Sequence, residues 1–234
     1  MKASLAYILA QSVWQFYDSD WMKTRWTSET IQFMWEHSSP QDKTAPSLFP
    51  AKPYFSVRFG EDDNDACEWS STFNELHRYP RVRALGILLV EIGNDLPLPE
   101  PEEELTHLLQ INKAWSWAWG KSNEKKAWPN FDYPKYRIAV KNSLDPDIFS
   151  AAPFDPEASE GKMAEGLKKR RKVLYDKVVF PLEELLTGTG WKEGLQKDDE
   201  PVEPRTKSAT EVAPEMPNLL GEEEGIDTNT DHRR

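Results

Sequence analysis

Cysteine is almost missing from this chain. The single Cys67 has no partner for an intrachain disulfide and cannot form a thiolate cluster for zinc. It fits a reducing compartment. No apolar run nears the roughly 20 residues that a bilayer-spanning helix needs, since Gly86-Ile87-Leu88-Leu89-Val90 lies between Arg83 and Glu91. Histidine is scarce as well: His37, His77, His107 and His232 stand too far apart for metal-ligand spacing. Basic charge is outweighed, with 29 Lys and Arg against 40 Asp and Glu. The net charge of -11 repels phosphate and argues against a nucleic-acid partner. No Gly-x-Ser-x-Gly elbow, Ser-His-Asp constellation or phosphate-cradling Gly-rich loop is present.

What is there is aromatic and helical. Ten Trp require a packed core somewhere, yet mean composition is polar, so a compact domain diluted by an acidic tail is expected. The expected boundaries are 1–195 for the domain and 196–234 for a disordered tail. From Lys197 onward eleven Asp or Glu face five Lys or Arg, and there is too little apolar surface to offset the entropy of ordering. The start, Ala3 to Ala10, looks like a weak signal peptide. Leu5, Ile8, Leu9, Val13 and Phe16, however, hold a helical period past any cleavage point. The expected address is therefore the cytoplasm, with the nucleus as the alternative.

Periodicity and breakers predict a mainly α fold with one short hairpin. Helices are expected over residues 3–18, 80–94, 102–117 and 134–144, and over a long stretch from about 163 to 187 kinked at Pro181. In that last stretch Met163, Leu167, Leu174, Val178, Leu182 and Leu185 mark the inward stripe, and Gly188 and Gly190 stop it. The hairpin strands are expected at the end of residues 27–33 and over 54–59, with loops over 38–53 and 61–65. Val82, Leu85, Leu89 and Ile92 form one stripe while Ala84, Ile87, Leu88 and Val90 cover the other sides. That helix should be buried all round, started by Pro80 and ended by Gly93-Asn94.

Pro80-Arg81-Val82-Arg83-Ala84-Leu85-Gly86-Ile87-Leu88-Leu89-Val90-Glu91-Ile92 resembles the buried helix in the C-terminal lobe of protein kinases. The order of elements is similar too. Leu5 to Phe16 followed by Trp21 and Trp26, Ile31-Gln32-Phe33, Pro53-Tyr54-Phe55-Ser56, Ala84 to Glu91 and Val178-Val179-Phe180-Pro181-Leu182-Glu183 more closely resemble a fungal family of unknown function with a kinase-like fold. Tyr136, Ala139, Val140, Ser143 and Leu144 match a further pattern of that family, with Ser143 where Cys is usual. The resemblance spans about residues 4–190. It implies a kinase-like C-terminal lobe with its N-terminal lobe absent. It also implies degenerate catalytic positions: Arg25 where the catalytic Asp belongs, Thr30 for the magnesium-binding Asn, Arg58 in place of the Asp of Asp-Phe-Gly, and Arg81 for the Asp that orients the catalytic loop. Cations and a hydroxyl at these places cannot hold magnesium or act as the base.

Other signals read as ordinary. Lys168-Lys169-Arg170-Arg171-Lys172 has the composition of an import patch, but on a helix with an inward apolar stripe a solvated face is expected. Asp62-Asp63-Asn64-Asp65 lacks the Gly and terminal Glu of a calcium loop. Trp115, Trp117 and Trp119 alternate, so they cannot share one helix face, and core filling with one ring exposed is expected. Leu219-Leu220 reads as a chance pair. The expected function is a non-catalytic interaction or scaffold domain with a protein partner, no cofactor and no metal. The alternatives are a divergent phosphotransferase or nucleotide hydrolase, or a truncated non-functional paralogue.

Overall fold

The computed structural model describes residues 1–23, 26–36, 47–55, 67–124, 128 and 131–192. Among them the chain forms α1 (Lys2–Gln15), a 3₁₀ turn (Asp20–Lys23), β1 (Ile31–Glu36), β2 (Ser47–Phe55), α2 (Pro80–Asn94), α3 (His107–Asn123), α4 (Pro134–Leu144), α5 (Glu160–Leu174), a π turn (Tyr175–Val179) and α6 (Phe180–Thr189). The mainly helical expectation is met. The 61–65 loop and the tail expected over 196–234 lie outside the described residues.

α1 buries part of the expected stripe together with a set of alanines. Ala3, Ala6, Leu9, Ala10 and Val13 are buried and Leu5 packs half-buried against the core, while Phe16, expected inward, is exposed. α2 lies against α1, α3 and α4. Val82, Leu85, Leu88, Leu89 and Val90 are buried on several sides of it, while Ala84, Ile87 and Ile92 are half-buried, so the expectation of burial all round is met in part.

The end of α2 departs from expectation. Gly93 does not cap it: the left-handed residue is Asp95, at φ 56°, held by an ion pair with Lys2. Gly93 serves packing instead. A Cβ built on it would stand 2.2 Å from Cζ3 of Trp128 and 3.0 Å from Cε1 of Tyr136. Both rings are buried, and the Tyr136 hydroxyl donates to the Leu89 carbonyl at 2.7 Å. Gly93→Ala should therefore destabilise the protein by about 1–3 kcal/mol in urea denaturation, even after the ~1 kcal/mol that alanine gains in a helix. Gly120→Ala in α3, where nothing lies within 4 Å of the built Cβ, should be neutral or stabilising. Equal effects of the two would refute this packing role.

β1 and β2 pair antiparallel, Ile31 opposite Phe55 and Glu36 opposite Ser47. β2 therefore occupies residues 47–53, expected as loop, and of the expected 54–59 strand only Tyr54 and Phe55 lie within the described residues. In a two-stranded sheet each strand has an open edge, so Pro50 and Pro53 can lack an N–H without breaking a ladder. The register slips between Phe33 and Trp35, as a bulge next to these prolines would require.

α3 starts five residues later than the expected 102–117 helix, and runs on to Asn123. Glu102 to Leu105 closes a turn of its own, with the Leu105 N–H donating to the Glu102 carbonyl at 3.0 Å, and extended Thr106 precedes the helix. Leu109 on this helix is exposed.

The long helix is interrupted as expected, but by a π turn just before Pro181. The Phe180 N–H closes back to the Tyr175 carbonyl. Pro181 has no N–H to offer the Lys177 carbonyl, and the Asn142 side-chain amide from α4 supplies one at 2.7 Å. Met163, expected inward, is exposed. Gly190, at φ 73°, ends α6 with the Trp191 N–H reaching the Leu186 carbonyl at 3.0 Å, the pattern of a Schellman cap. Gly188 is an ordinary helical residue.

Candidate functional site

Two of the four sequence-derived positions, Arg25 and Arg58, lie outside the described residues, as do Asp62-Asp63-Asn64-Asp65, His37, His232 and Leu219-Leu220. The other two are held by the fold. Thr30 sits in the turn leading into β1. Its hydroxyl accepts from the Thr27 N–H and donates to the Thr27 carbonyl, both at 3.0 Å. Next to it Ser28 donates to Oε1 of Glu91 at 3.1 Å, and the Leu98 N–H donates to the same oxygen at 2.8 Å. Burial pushes the Glu91 carboxyl up from its ordinary value, and these two donors oppose that shift. Glu91 thus ties both the Thr27–Thr30 turn and the proline linker to the middle of the fold.

Arg81 is the second residue of α2. Its guanidinium donates to the Tyr17 carbonyl and lies 5.8 Å from the Tyr17 ring centroid. The Tyr17 hydroxyl is buried without a hydrogen-bond partner. Desolvation, and then the nearby Glu68, raise its pKa well above the ordinary value, so the phenol stays neutral. Glu68 itself accepts from Nε of Arg170 at 2.6 Å. Arg170 also reaches the Pro153 carbonyl at 3.3 Å and covers the Phe154 ring at 5.3 Å. The basic run on α5 is therefore not simply a solvated face. Arg170 is buried, and Arg171 is tied to Asp18 and lies 5.9 Å from the Trp14 ring.

Beside this cluster lies a cleft of about 330 Å³ lined by Trp69, Glu75, Leu76, Arg78, Tyr79 and Phe149, among others. Arg78 lies over Trp69, at 5.7 Å. The cleft floor is rigid. Tyr79 and Phe149 meet edge to face at 4.7 Å, and Arg83 of α2 forms a buried ion pair with Glu75 while donating to the His77 carbonyl at 3.1 Å. His77 is fully buried. Its Nε2–H donates to the Ser143 carbonyl at 3.2 Å, and its Nδ1 accepts from the Tyr79 N–H at 3.3 Å. Burial, helped by the Arg83 charge, pushes its pKa down to about 3.

Nothing in the sequence pattern marked Glu75, His77 or Arg83. Their partners lie across a loop with no periodicity, so only the chain path brings them together. The Trp triad resolves as packing: Trp115 and Trp119 stack at 5.7 Å, Trp115 donates to the Leu144 carbonyl at 2.9 Å, and all three rings are partly buried against the core. Among the described residues no group of three or more His, Cys, Asp or Glu could hold a metal ion, and no helix is long and apolar enough to cross a membrane.

No curated protein and no solved structure matches the chain. A family model does. The model described as domain of unknown function (DUF7580) covers residues 1–189, which takes in every described element from α1 to α6, and the chain belongs to that family.

Proposed function

We propose that this chain is a non-catalytic, kinase-like interaction domain. The observation that carries the reading is Arg81. By the resemblance of residues 80–92 to the buried kinase helix, its place at the head of α2 calls for a carboxylate that accepts hydrogen bonds from the catalytic loop. Here a cation donates to the carbonyl of Tyr17, just after α1. The tether between helix head and neighbouring segment has reversed polarity, and a guanidinium repels magnesium. Thr30, at the second degenerate position, has its hydroxyl engaged within its own turn. Pseudokinase-type domains of fungal proteins, acting inside the cell on a protein partner, are the setting that the resemblance implies.

Thermal denaturation with and without magnesium-ATP tests this. A nucleotide present at about a hundred times its Kd would stabilise the fold by roughly 2.7 kcal/mol. The expected result is no magnesium-dependent shift and no phosphate release. A shift accompanied by phosphate release would establish the phosphotransferase or nucleotide-hydrolase alternative instead.

A further inference from the structure

The loop before α2 buries part of Trp69 against Phe154 but presents Phe73 and Leu76 to solvent. Phe73 is 79% exposed and Leu76 is 47% exposed, yet this loop is fastened at many points. The Asn112 side chain accepts from the Leu76 N–H at 3.0 Å and donates to the Asn74 carbonyl at 2.9 Å. Asn74 takes the left-handed conformation, at φ 68°. The Ser70 N–H donates to the Arg78 carbonyl at 2.8 Å, and Glu75 is locked to Arg83. An aromatic ring held out on a rigid loop loses little entropy on binding, as a contact anchor should.

Leu109 on α3, 50% exposed, continues the same surface. It precedes Asn112 by three residues and Lys113 by four, so all three share one face of α3. Asn112 holds the Phe73–Leu76 loop on one side. On the other, Lys113 pairs with Glu102, and the Gln110 amide donates to the Glu102 and Leu105 carbonyls at 3.1 and 3.3 Å. The apolar centre of Phe73, Leu76 and Leu109 thus lies between the arginine-lined cleft and the acidic turn. In that turn Glu100, Glu103 and Glu104 are exposed, and Glu102 alone has a cation partner among the described residues.

We propose that Phe73, Leu76 and Leu109 form a docking surface for a partner-protein segment carrying an apolar anchor flanked by Lys or Arg. This inference rests on the interaction-domain reading. The exposed carboxylates of Glu100, Glu103 and Glu104, which form no ion pair among the described residues, set the sign of the flank, and they disfavour nucleic acid at the same place. Arg78 sets a direction: the basic flank lies over the acidic turn and the other end over the cleft.

A random peptide library displayed on phage and panned against the immobilised full chain tests the proposal, with recovered peptides then measured by fluorescence anisotropy. The expected peptides pair a large apolar residue with Lys or Arg. They should bind Phe73→Ser and Leu109→Ser about ten-fold more weakly or worse. They should also lose affinity for the Glu103→Lys, Glu104→Lys double variant and with added salt, and bind Met163→Ser like the parent. Unchanged melting of Phe73→Ser and Leu109→Ser shows that the fold is intact. Failure to recover peptides, peptides without basic residues, or equal binding to Phe73→Ser would overturn the proposal. So would concentration-dependent dimerisation abolished by Phe73→Ser, which makes a second copy the occupant. Peptide recovery only after removal of residues 193–234 would likewise overturn it, in favour of the chain's own C-terminal segment. Failure of the underlying reading is separable, because stabilisation by magnesium-ATP would appear equally in the parent and in Phe73→Ser.

Discussion

Arg83→Met is expected to lose about 3–5 kcal/mol of stability, the range for a buried charge left without its partner. The Arg83 and Glu75 side chains are only 7% and 3% exposed, so the orphaned carboxylate would lose its partner while poorly solvated. The same substitution removes the donor to the His77 carbonyl at 3.1 Å, leaving a buried acceptor unmade. Set against a typical stability of about 5–15 kcal/mol, a loss of this size brings a large unfolded population at physiological temperature. The double variant Glu75→Gln, Arg83→Met is the decisive comparison. If desolvation of an unpaired charge is the cause, removing both charges should recover most of the loss. Urea denaturation of the parent, both single variants and the double variant measures the coupling directly. A single Arg83→Met variant within about 1 kcal/mol of the parent would show that the pair is not buried as described. The proposed docking surface is tied to the same bond, because the loop it fastens carries Phe73 and Leu76. The double variant should hold its fold while presenting those two residues less rigidly.

Local rules made much of this fold legible, and tertiary rules account for the rest. α2 and α4 fall within the limits their sequences suggest because each begins with proline and has strongly periodic apolar residues: Tyr136, Val140 and Leu144 in α4 are all fully buried. In α1 the periodic stripe places Leu9 and Val13 inward and Leu5 against the core, as found, whereas the burial of Ala3, Ala6 and Ala10 and the exposure of Phe16 do not follow from hydrophobicity alone. Gly93 looks like a stop signal because glycine breaks helices in isolation. Its actual role depends on Trp128, which follows it by more than thirty residues and leaves no room for a Cβ. β2 was hidden by prolines, which exclude a central strand but not an edge. At the candidate site, a cation at the head of the buried helix, Arg81, is legible from one residue in one motif. The Glu75–Arg83–His77 cluster is not, since a buried ion pair between a loop and a helix has no period to detect. Phe73 did leave a trace: an aromatic residue set among Ser71, Thr72 and Asn74 has no apolar neighbours in sequence to share a core with.

Acidification should destabilise the protein in the window between pH 6.5 and 3, and His77 should account for a large part of the loss. The unfolded side chain titrates near 6.5, whereas in the fold its pKa is pushed down to about 3. Between those values the unfolded state binds a proton that the native state does not. Stability therefore rises with pH across the window and is lost as pH falls through it. Above pH 6.5 the ring is neutral in both states and contributes no pH dependence. By pH 4 the cost is about 3 kcal/mol, at 1.36 kcal/mol for each unit by which the pH lies below the unfolded value. The structural cause is specific. Nε2 already donates to the Ser143 carbonyl, so a second proton must go on Nδ1, which accepts from the Tyr79 N–H. Protonation would replace that hydrogen bond with two opposed donors and place a cation near Arg83 in a site closed to bulk solvent. His77→Gln, which has an amide to donate to Ser143 but no titration, should be less stable at pH 7 and should flatten the stability profile between pH 6 and 4. Urea midpoints taken at steps across that range provide the measurement, and an unaltered slope in His77→Gln would assign the acid sensitivity to other groups.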